Sequence, residues 1–446
     1  MPEAATASTT KNFRLALPAA PALTRAMTPP SAPPRHSSRE IAAALLHPAV
    51  IVGALGYFVD IYDLILFAVV RVPSLKGLGY SGDQLVSLGA WLINWQMGGM
   101  LLGGLLWGLL GDRFGRLKVL FGSIILYSLA NIANGFVTTV DTYAVCRFLA
   151  GLGLAGELGG CITLVSEVLP KELRGFGTVA ISAIGILGAL VAGAVGGMFP
   201  WQNAYFIGGG LGILLLFLRM CVAESGMYKS MAGTNRPPFA SQLALLFAPS
   251  RIGRYFACVL IGLPNWYFIG IVVLFSPEFA KALGATGPVT GAAAVAVSYT
   301  GLSLGSLLIG AWSQYIRSRK KVLIASMIAT LLFTNIFFLL PTGPSPTLIY
   351  AVIFLFGLAA GYWSIFVTVA AEHFGTNMRA TVATTVPNFS RGSVILTTML
   401  FTWLKAHGFD TLHSGLTVGW IVLAIGILGW FGLRETFHDD LDYVEK

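Results

Sequence analysis

Five ionisable residues stand in the most apolar stretches of this chain: Asp60, Asp63, Arg147, Glu157 and Arg391. On insertion scales a charge near the centre of a bilayer costs about 2.5–3.5 kcal/mol, so each of them needs a partner, water or a task. Asp60 and Asp63 lie at i and i+3 of one helical stretch and therefore share a face. A later stretch running the opposite way brings Glu157 close to the depth of Asp60, while Arg147 sits nearer the outer surface with a side chain long enough to reach inward. The charge of a buried carboxylate responds to its solvation and to the distance of a neighbouring arginine, so small movements in such a cluster can take up or release a proton. Proton coupling uses that property. A static ion pair bracing the first helices is the alternative.

Arg391 falls near the midplane within Asn388-Phe389-Ser390-Arg391, with no acid evident at its level in the C-terminal half. A guanidinium can bind a carboxylate through two parallel hydrogen bonds, which makes a small organic acid the ligand this residue suits. Capping backbone carbonyls and pairing with the helix-one acids are the competing roles. Pro264-Asn265-Trp266-Tyr267 puts polar and aromatic groups where a proline frees a backbone carbonyl and a helix can bend. Asn265, Trp266 and Tyr267, with Gln96 and Asn388, are candidates for lining a substrate cavity. Trp95, Tyr362 and Trp363 are weaker ones, because aromatic residues in membrane helices more often pack or anchor.

Composition dictates the elements that hold these groups. The 446 residues are 56% hydrophobic and 11% charged, with a mean hydropathy of +0.77, more apolar surface than a soluble fold has use for. An α-helix needs roughly 20 apolar residues to cross the hydrocarbon core. Such runs recur at 49 to 70, 87 to 110, 119 to 139, 142 to 168, 176 to 199, 204 to 222, 254 to 276, 290 to 314, 322 to 340, 347 to 370, 381 to 404 and 416 to 433. The alternation of barrel strands is missing, which leaves helices as the spanning element. The predicted fold is an all-α membrane protein of twelve transmembrane helices, with glycines such as Gly99, Gly103 and Gly108 supplying small faces for close helix approach.

The net charge of +9 is dispersed among short loops, so it reads as topology and not as a nucleic-acid surface. With a cytoplasmic N-terminus, Arg113, Arg116, Lys118, Lys171, Arg174, Arg317, Arg319, Lys320, Lys321 and Arg379 all fall inside, against Lys76, Lys281 and Lys405 outside. Both termini are therefore expected in the cytoplasm. Residues 1–45, rich in Ala, Pro, Ser and Thr, read as a disordered tail. Cys146, Cys161, Cys221 and Cys258 show no close metal-ligand spacing and are expected to pack.

Two landmarks recur along the chain. Gly108-x3-Asp112-Arg113-x-Gly115-Arg116-x-Lys118 is followed 202 residues on by Gly310-x3-Gln314 with Arg317, Arg319, Lys320 and Lys321. Glu167-x2-Pro170-x3-Arg174 is followed at an offset of 205 by Glu372-x2-Gly375-x3-Arg379. A duplicated unit explains both, as in transporters whose two repeats enclose a midplane site. The expected division is a tail at 1–45, a six-helix bundle at 46–222, a cytoplasmic linker at 223–253, a second pseudo-symmetric six-helix bundle at 254–434 and a tail at 435–446.

The loop segment after the second helix resembles the corresponding motif of the major facilitator superfamily, and the resemblance covers essentially everything beyond the N-terminal tail. FVDIYD at 58–63 looks like the first-helix stretch of metabolite:proton symporters. Arg147 with GLGLAGELGG, and EVLPKELRG, are similar to that group and to sugar porters, whose signatures AESGMY at 223–228 and RET at 434–436 resemble in degraded form. The resemblance implies a cytoplasmic gate at Gly108, Asp112, Arg113, Gly115 and Arg116, with Glu167, Arg174, Glu372 and Arg379 as latches; Gln314 replaces the acid in the second copy.

GLGLAG at 151–156 and GLSLG at 301–305 match a dinucleotide-binding turn and a nucleophile elbow in letters only, since neither follows a strand. No nucleophile, base and orienter set is apparent, so no enzymatic activity and no cofactor is expected. The reading is a monomeric secondary transporter in the inner or plasma membrane, importing a small organic anion with protons. A sugar or polyol porter is the alternative, and a non-transporting sensor of the same fold is a third.

Overall fold

The structure, a computed structural model, describes residues 38–114, 116–157, 169, 174–224, 239–437 and 444. Among them, twelve helical segments match the predicted spans in order. They are α1 (Pro48–Gly77), α2 (Gln84–Phe114), α3 (Arg116–Asn134), α4 (Val140–Leu154), α5 (Arg174–Met198) and α6 (Trp201–Glu224), then α7 (Pro249–Val273), α8 (Gly291–Ile316), α9 (Arg319–Phe338), α10 (Pro346–Glu372), α11 (Thr376–Ala406) and α12 (Thr411–Phe431). Eight of these helices are long and apolar enough to cross a membrane, and Leu120–Asn134 and Ile184–Met198 are shorter apolar helical stretches. Large apolar side chains face outward, including Leu308, Leu396, Leu428 and Phe431, while Asp60, Asp63, Arg71 and Arg147 are buried. That inversion suits a surface solvated by lipid.

Two boundaries depart from expectation. Helix α1 runs to Gly77 with Pro73 inside it, seven residues beyond the predicted end at 70, because the polar Arg71 and Ser74 are buried by neighbouring elements. Residues Ser38–Leu45, assigned to a disordered tail, form a short helix.

Glycines set the spacing of the bundles. A β-carbon added at Gly99 would strike the Phe148 carbonyl of α4, and one at Gly103 the Leu152 carbonyl. Gly301 and Gly305, each 202 residues later, stand in the same relation to the Phe354 and Leu358 carbonyls of α10. The glycines of the two letter matches are part of this packing: Gly151 lies against the Gln96 carbonyl, and Gly153 against Tyr127 and Ser123. The six-helix bundles are thus pseudo-symmetric down to individual contacts. They meet where α2 packs on α11, and where α8 packs on α1 and α5.

Adjacent glycines give this a test. Gly99→Ala is expected to destabilise the protein by about 1–3 kcal/mol, because the carbonyl opposite belongs to a helix that must move away. Gly98, with nothing within 4 Å of an added β-carbon, is expected to gain up to about 1 kcal/mol on replacement by alanine through helix propensity. Melting of both purified variants in one detergent measures the contrast. Equal shifts would mean that the α2–α4 contact is not tight.

Helices α7 and α10 are both broken, and the breaks face each other. In α7 the chain turns at Ile261–Gly262 and restarts with Pro264. In α10 it turns at Gly361–Tyr362. Carbonyls loosened by such breaks need donors in the absence of water. Tyr362 Oη donates to the Ile261 carbonyl at 3.0 Å, Ser390 Oγ to Val259 at 3.0 Å and Asn265 Nδ2 to Ala360 at 2.6 Å. Beyond its restart, α7 includes a π-helical turn over Phe268–Val273.

At the end of the bundle nearer the termini, Glu435 accepts from Ser318 Oγ and from the N–H groups of Arg319 and Lys320, the former at 2.8 Å. Partial burial pushes its carboxyl up, but these hydrogen bonds outweigh that and hold it below the usual carboxylate range.

Candidate functional site

The midplane charges separate into three groups. Asp60 of α1 faces Arg391 of α11, with Oδ2 at 3.8 Å from Nη2 and both side chains buried. This pair joins the two six-helix bundles. Neither Asp60 oxygen accepts a hydrogen bond among the described residues, and Arg391 Nε and Nη1 donate none. The guanidinium lies 5.6 Å from the Trp266 ring centroid, a cation–π approach. Trp266 in turn meets Trp363 edge-on at 5.8 Å. Asn388, one turn before Arg391 and next to Pro387, is buried, and neither amide atom is hydrogen-bonded among the described residues. Asp60, Arg391, Trp266 and Asn388 thus form a buried set in which polar atoms outnumber their partners.

Asp63 stands one turn along α1 on the side of the N-terminal bundle. Its carboxylate occupies space left by Gly208 of α6, where a β-carbon would collide with Oδ1. Arg147 and Asp60 are its charged neighbours. Arg147 Nη2 donates to Asn131 Oδ1 at 2.9 Å, Nη1 makes a long 3.5 Å contact with Gln96 Oε1, and the guanidinium lies 5.0 Å from the Tyr205 ring. Tyr205 shares a 2.5 Å hydrogen bond with Tyr143, which donates to Ser74 at 3.3 Å.

Glu157 belongs to the third group. It receives both Arg219 Nη1, at 3.1 Å on Oε2, and Arg219 Nη2 on Oε1, while Gly56 leaves room for the pair on α1. Glu157 remains an electrostatic neighbour of Asp60, and the fold adds to it a bidentate partner on α6 that the sequence did not single out.

The other expected cavity residues divide. Asn265 is committed to the Ala360 carbonyl, and Tyr267 Oη donates to the Gly415 carbonyl at 2.9 Å. Gln96 faces Arg147, and among the described residues neither its Nε2 nor the Trp266 indole N–H has an acceptor. A small apolar cavity beside it is lined by Leu64, Ile93, Met97, Ile269 and Leu274 among others.

Of the gate residues, Gly108, Asp112 and Arg113 close α2 and Arg116 opens α3. Arg174 opens α5. Their side-chain placement, and Gly115 and Glu167 altogether, lie outside the described residues. Glu372 receives Arg319 Nη2 at 3.5 Å and Thr436 Oγ1 at 2.7 Å, and Arg379 donates to the Ala371 and Phe374 carbonyls at the end of α10.

Sequence reasoning missed Arg219 and Arg71. Both were legible as arginines at the margins of apolar runs, but depth along a helix was judged from the ends of those runs.

The sequence profile described as Major Facilitator Superfamily matches residues 53–386. The putative niacin/nicotinamide transporter of Bacillus subtilis (strain 168) is 24% identical over 88% of this chain and 96% of its own length. The niacin transporter of Acinetobacter baylyi is 34% identical over 40% of each. Among solved structures, an inward-open conformation of the xylose transporter from E. coli superposes with a TM-score of 0.65 at 16% identity, covering 88% of this chain and 97% of that one.

Proposed function

The chain belongs to the major facilitator superfamily, and from that premise we propose that it carries a small organic anion across the membrane together with protons, by alternating access between its two bundles. One observation carries this reading: a buried guanidinium, Arg391, that faces the Asp60 carboxylate of the other bundle at 3.8 Å while Nε and Nη1 have no acceptor among the described residues. A substrate carboxylate competes with Asp60 for that guanidinium. Protonation of Asp60 removes the competitor, so proton uptake and anion binding favour each other, which is thermodynamic linkage between two sites. Because Asp60 and Arg391 sit on different bundles, the same exchange alters what holds the bundles together, as alternating access requires.

Asp63 and Arg147 form the second proton-responsive pair in this reading, behind Asp60 on the same face of α1. Trp266, Asn388 and Gln96 supply the remaining contacts to substrate. Niacin, named for two relatives, is a pyridine carboxylate. A flat ring joined to a carboxylate suits a guanidinium that lies against the Trp266–Trp363 edge pair.

In this reading both termini lie in the cytoplasm of an inner or plasma membrane, which the basic residues of the loops at the terminal end support. Asp112, Arg113 and Arg116, with Glu372 and Arg379, then form the cytoplasmic gate of a monomeric transporter.

The test is uptake into proteoliposomes with an imposed pH gradient, offering aromatic monocarboxylates, dicarboxylates and hexoses with and without protonophore. Protonophore-sensitive accumulation of a carboxylate is the expected result. Gradient-independent equilibration of a hexose would replace the reading with a facilitative sugar porter, and absence of flux for every compound would remove it.

A further inference from the structure

At the end of the bundle opposite the termini, Arg71 is fully buried. It lies near the end of α1 in the N-terminal bundle and reaches into the other one. Nη2 donates to Glu278 Oε2 at 2.7 Å and to the Leu274 carbonyl at 2.8 Å, both beyond the π-helical turn of α7. Nη1 donates to the Leu85 carbonyl of α2 at 2.9 Å. The guanidinium lies 4.8 Å from the Phe275 ring centroid. Gly89 makes the placement possible, because a β-carbon there would stand 2.6 Å from Arg71 Cδ. Such a side chain is far from an incidental surface pair. Burying a guanidinium is tolerated only where the surroundings supply acceptors, and here the acceptors come from both bundles.

A second cross-bundle pair, Lys405 with Asp83 at 3.2 Å, lies close by, but Asp83 is 97% exposed and such pairs contribute little. Arg71 therefore stands apart as the buried cross-bundle cation at this end among the described residues. Immediately beneath it lies the small apolar cavity of Leu64, Ile93 and Leu274, with Trp266 and the Asp60–Arg391 pair further in.

We propose that Arg71 is the bolt of the extracellular gate: seated on Glu278 and the Leu274 carbonyl it closes the outer path to the Arg391 site, and it must leave both for the site to open outward. The assignment to the outer side rests on the topology argued under the proposed function. The gate itself needs no substrate to be tested.

The experiment uses the full chain in proteoliposomes, with the native cysteines replaced and a single reporter, Ile93→Cys, beneath the bolt. A membrane-impermeant maleimide is added outside or trapped inside vesicles of known orientation. With Glu278→Gln, external labelling is expected to rise roughly tenfold, the population shift that follows loss of one charge-assisted hydrogen bond. Arg71→Ala is expected to exceed it, and Lys405→Ala to leave labelling within about twofold, as suits an exposed pair. Unchanged labelling in folded Glu278→Gln overturns the bolt. A rise seen only with reagent on the cytoplasmic face keeps a gate but overturns its placement outside. Neither result bears on anion binding at Arg391, which is measured separately by uptake.

Discussion

Arg391→Lys is expected to lower anion uptake by about 100-fold at sub-saturating substrate while the protein still inserts and folds. Lysine keeps the charge but loses the planar fork that engages a carboxylate through two parallel bonds, and it stacks less well on an indole. Truncating one partner of a buried, hydrogen-bonded charge pair costs about 2–5 kcal/mol, and each 1.4 kcal/mol is a factor of ten. The geometry makes the loss specific: Arg391 touches Asp60 at 3.8 Å and Trp266 at 5.6 Å, and both belong to the proposed site. The effect should appear in the concentration dependence, with uptake normalised to protein amount. If Arg391 only braces the bundles, the lysine variant would instead melt earlier and bind the anion with unchanged affinity.

Asp63→Asn is expected to abolish accumulation while leaving exchange of labelled for unlabelled anion across the membrane. One proton moved with each anion supplies 1.36 kcal/mol per pH unit, so a gradient of one unit supports about a tenfold concentration ratio. If protons reach Asp60 by way of Asp63, the asparagine breaks that relay and the ratio falls to about one. Asparagine nearly matches the carboxylate in shape, and the space left by Gly208 accommodates it, so the expected defect is in coupling and not in folding. Accumulation that survives in Asp63→Asn would remove Asp63 from the proton pathway and leave Asp60 as the remaining acid on this face of α1. Glu157 carries no such expectation. Its oxygens are held by Arg219, and Glu157→Gln would leave a buried guanidinium short of its counter-charge, a defect of stability.

The helices were legible because most are long apolar runs, and the repeat was legible because duplicated glycines and loop charges keep nearly the same offset. Gly99 and Gly301 later proved to make equivalent contacts. Asp60 and Arg391, both expected near the midplane, do lie within 3.8 Å of each other. What a linear sequence withholds is azimuth: a residue's position along a helix fixes its depth in the membrane, but only packing decides which neighbour it faces. Arg391 was therefore read as lacking an acid in its own half, whereas Asp60 reaches it from the other. Glu157 was read towards Asp60, whose electrostatic neighbour it is, but its partner on α6, Arg219, was not foreseen. Arg71 escaped notice because the apolar run of α1 ends at Val70 while the helix does not. Pro264 announced the break in α7, but Gly361 did not announce the one in α10, since glycine in a membrane helix is more often a packing residue.

The π-helical turn at Phe268–Val273 links the two ends of this account. A π turn is the mark of one residue inserted into an α-helix. Upstream of it α7 presents Trp266 to Arg391; downstream, Leu274 and Glu278 receive Arg71. The angular phase between a ligand's neighbour and a gate's seat is thus set by a single codon. Deleting one residue from this six-residue stretch would turn the seat by about 100° relative to the tryptophan, a larger displacement of gate against site than an exchange of side chains within it would cause.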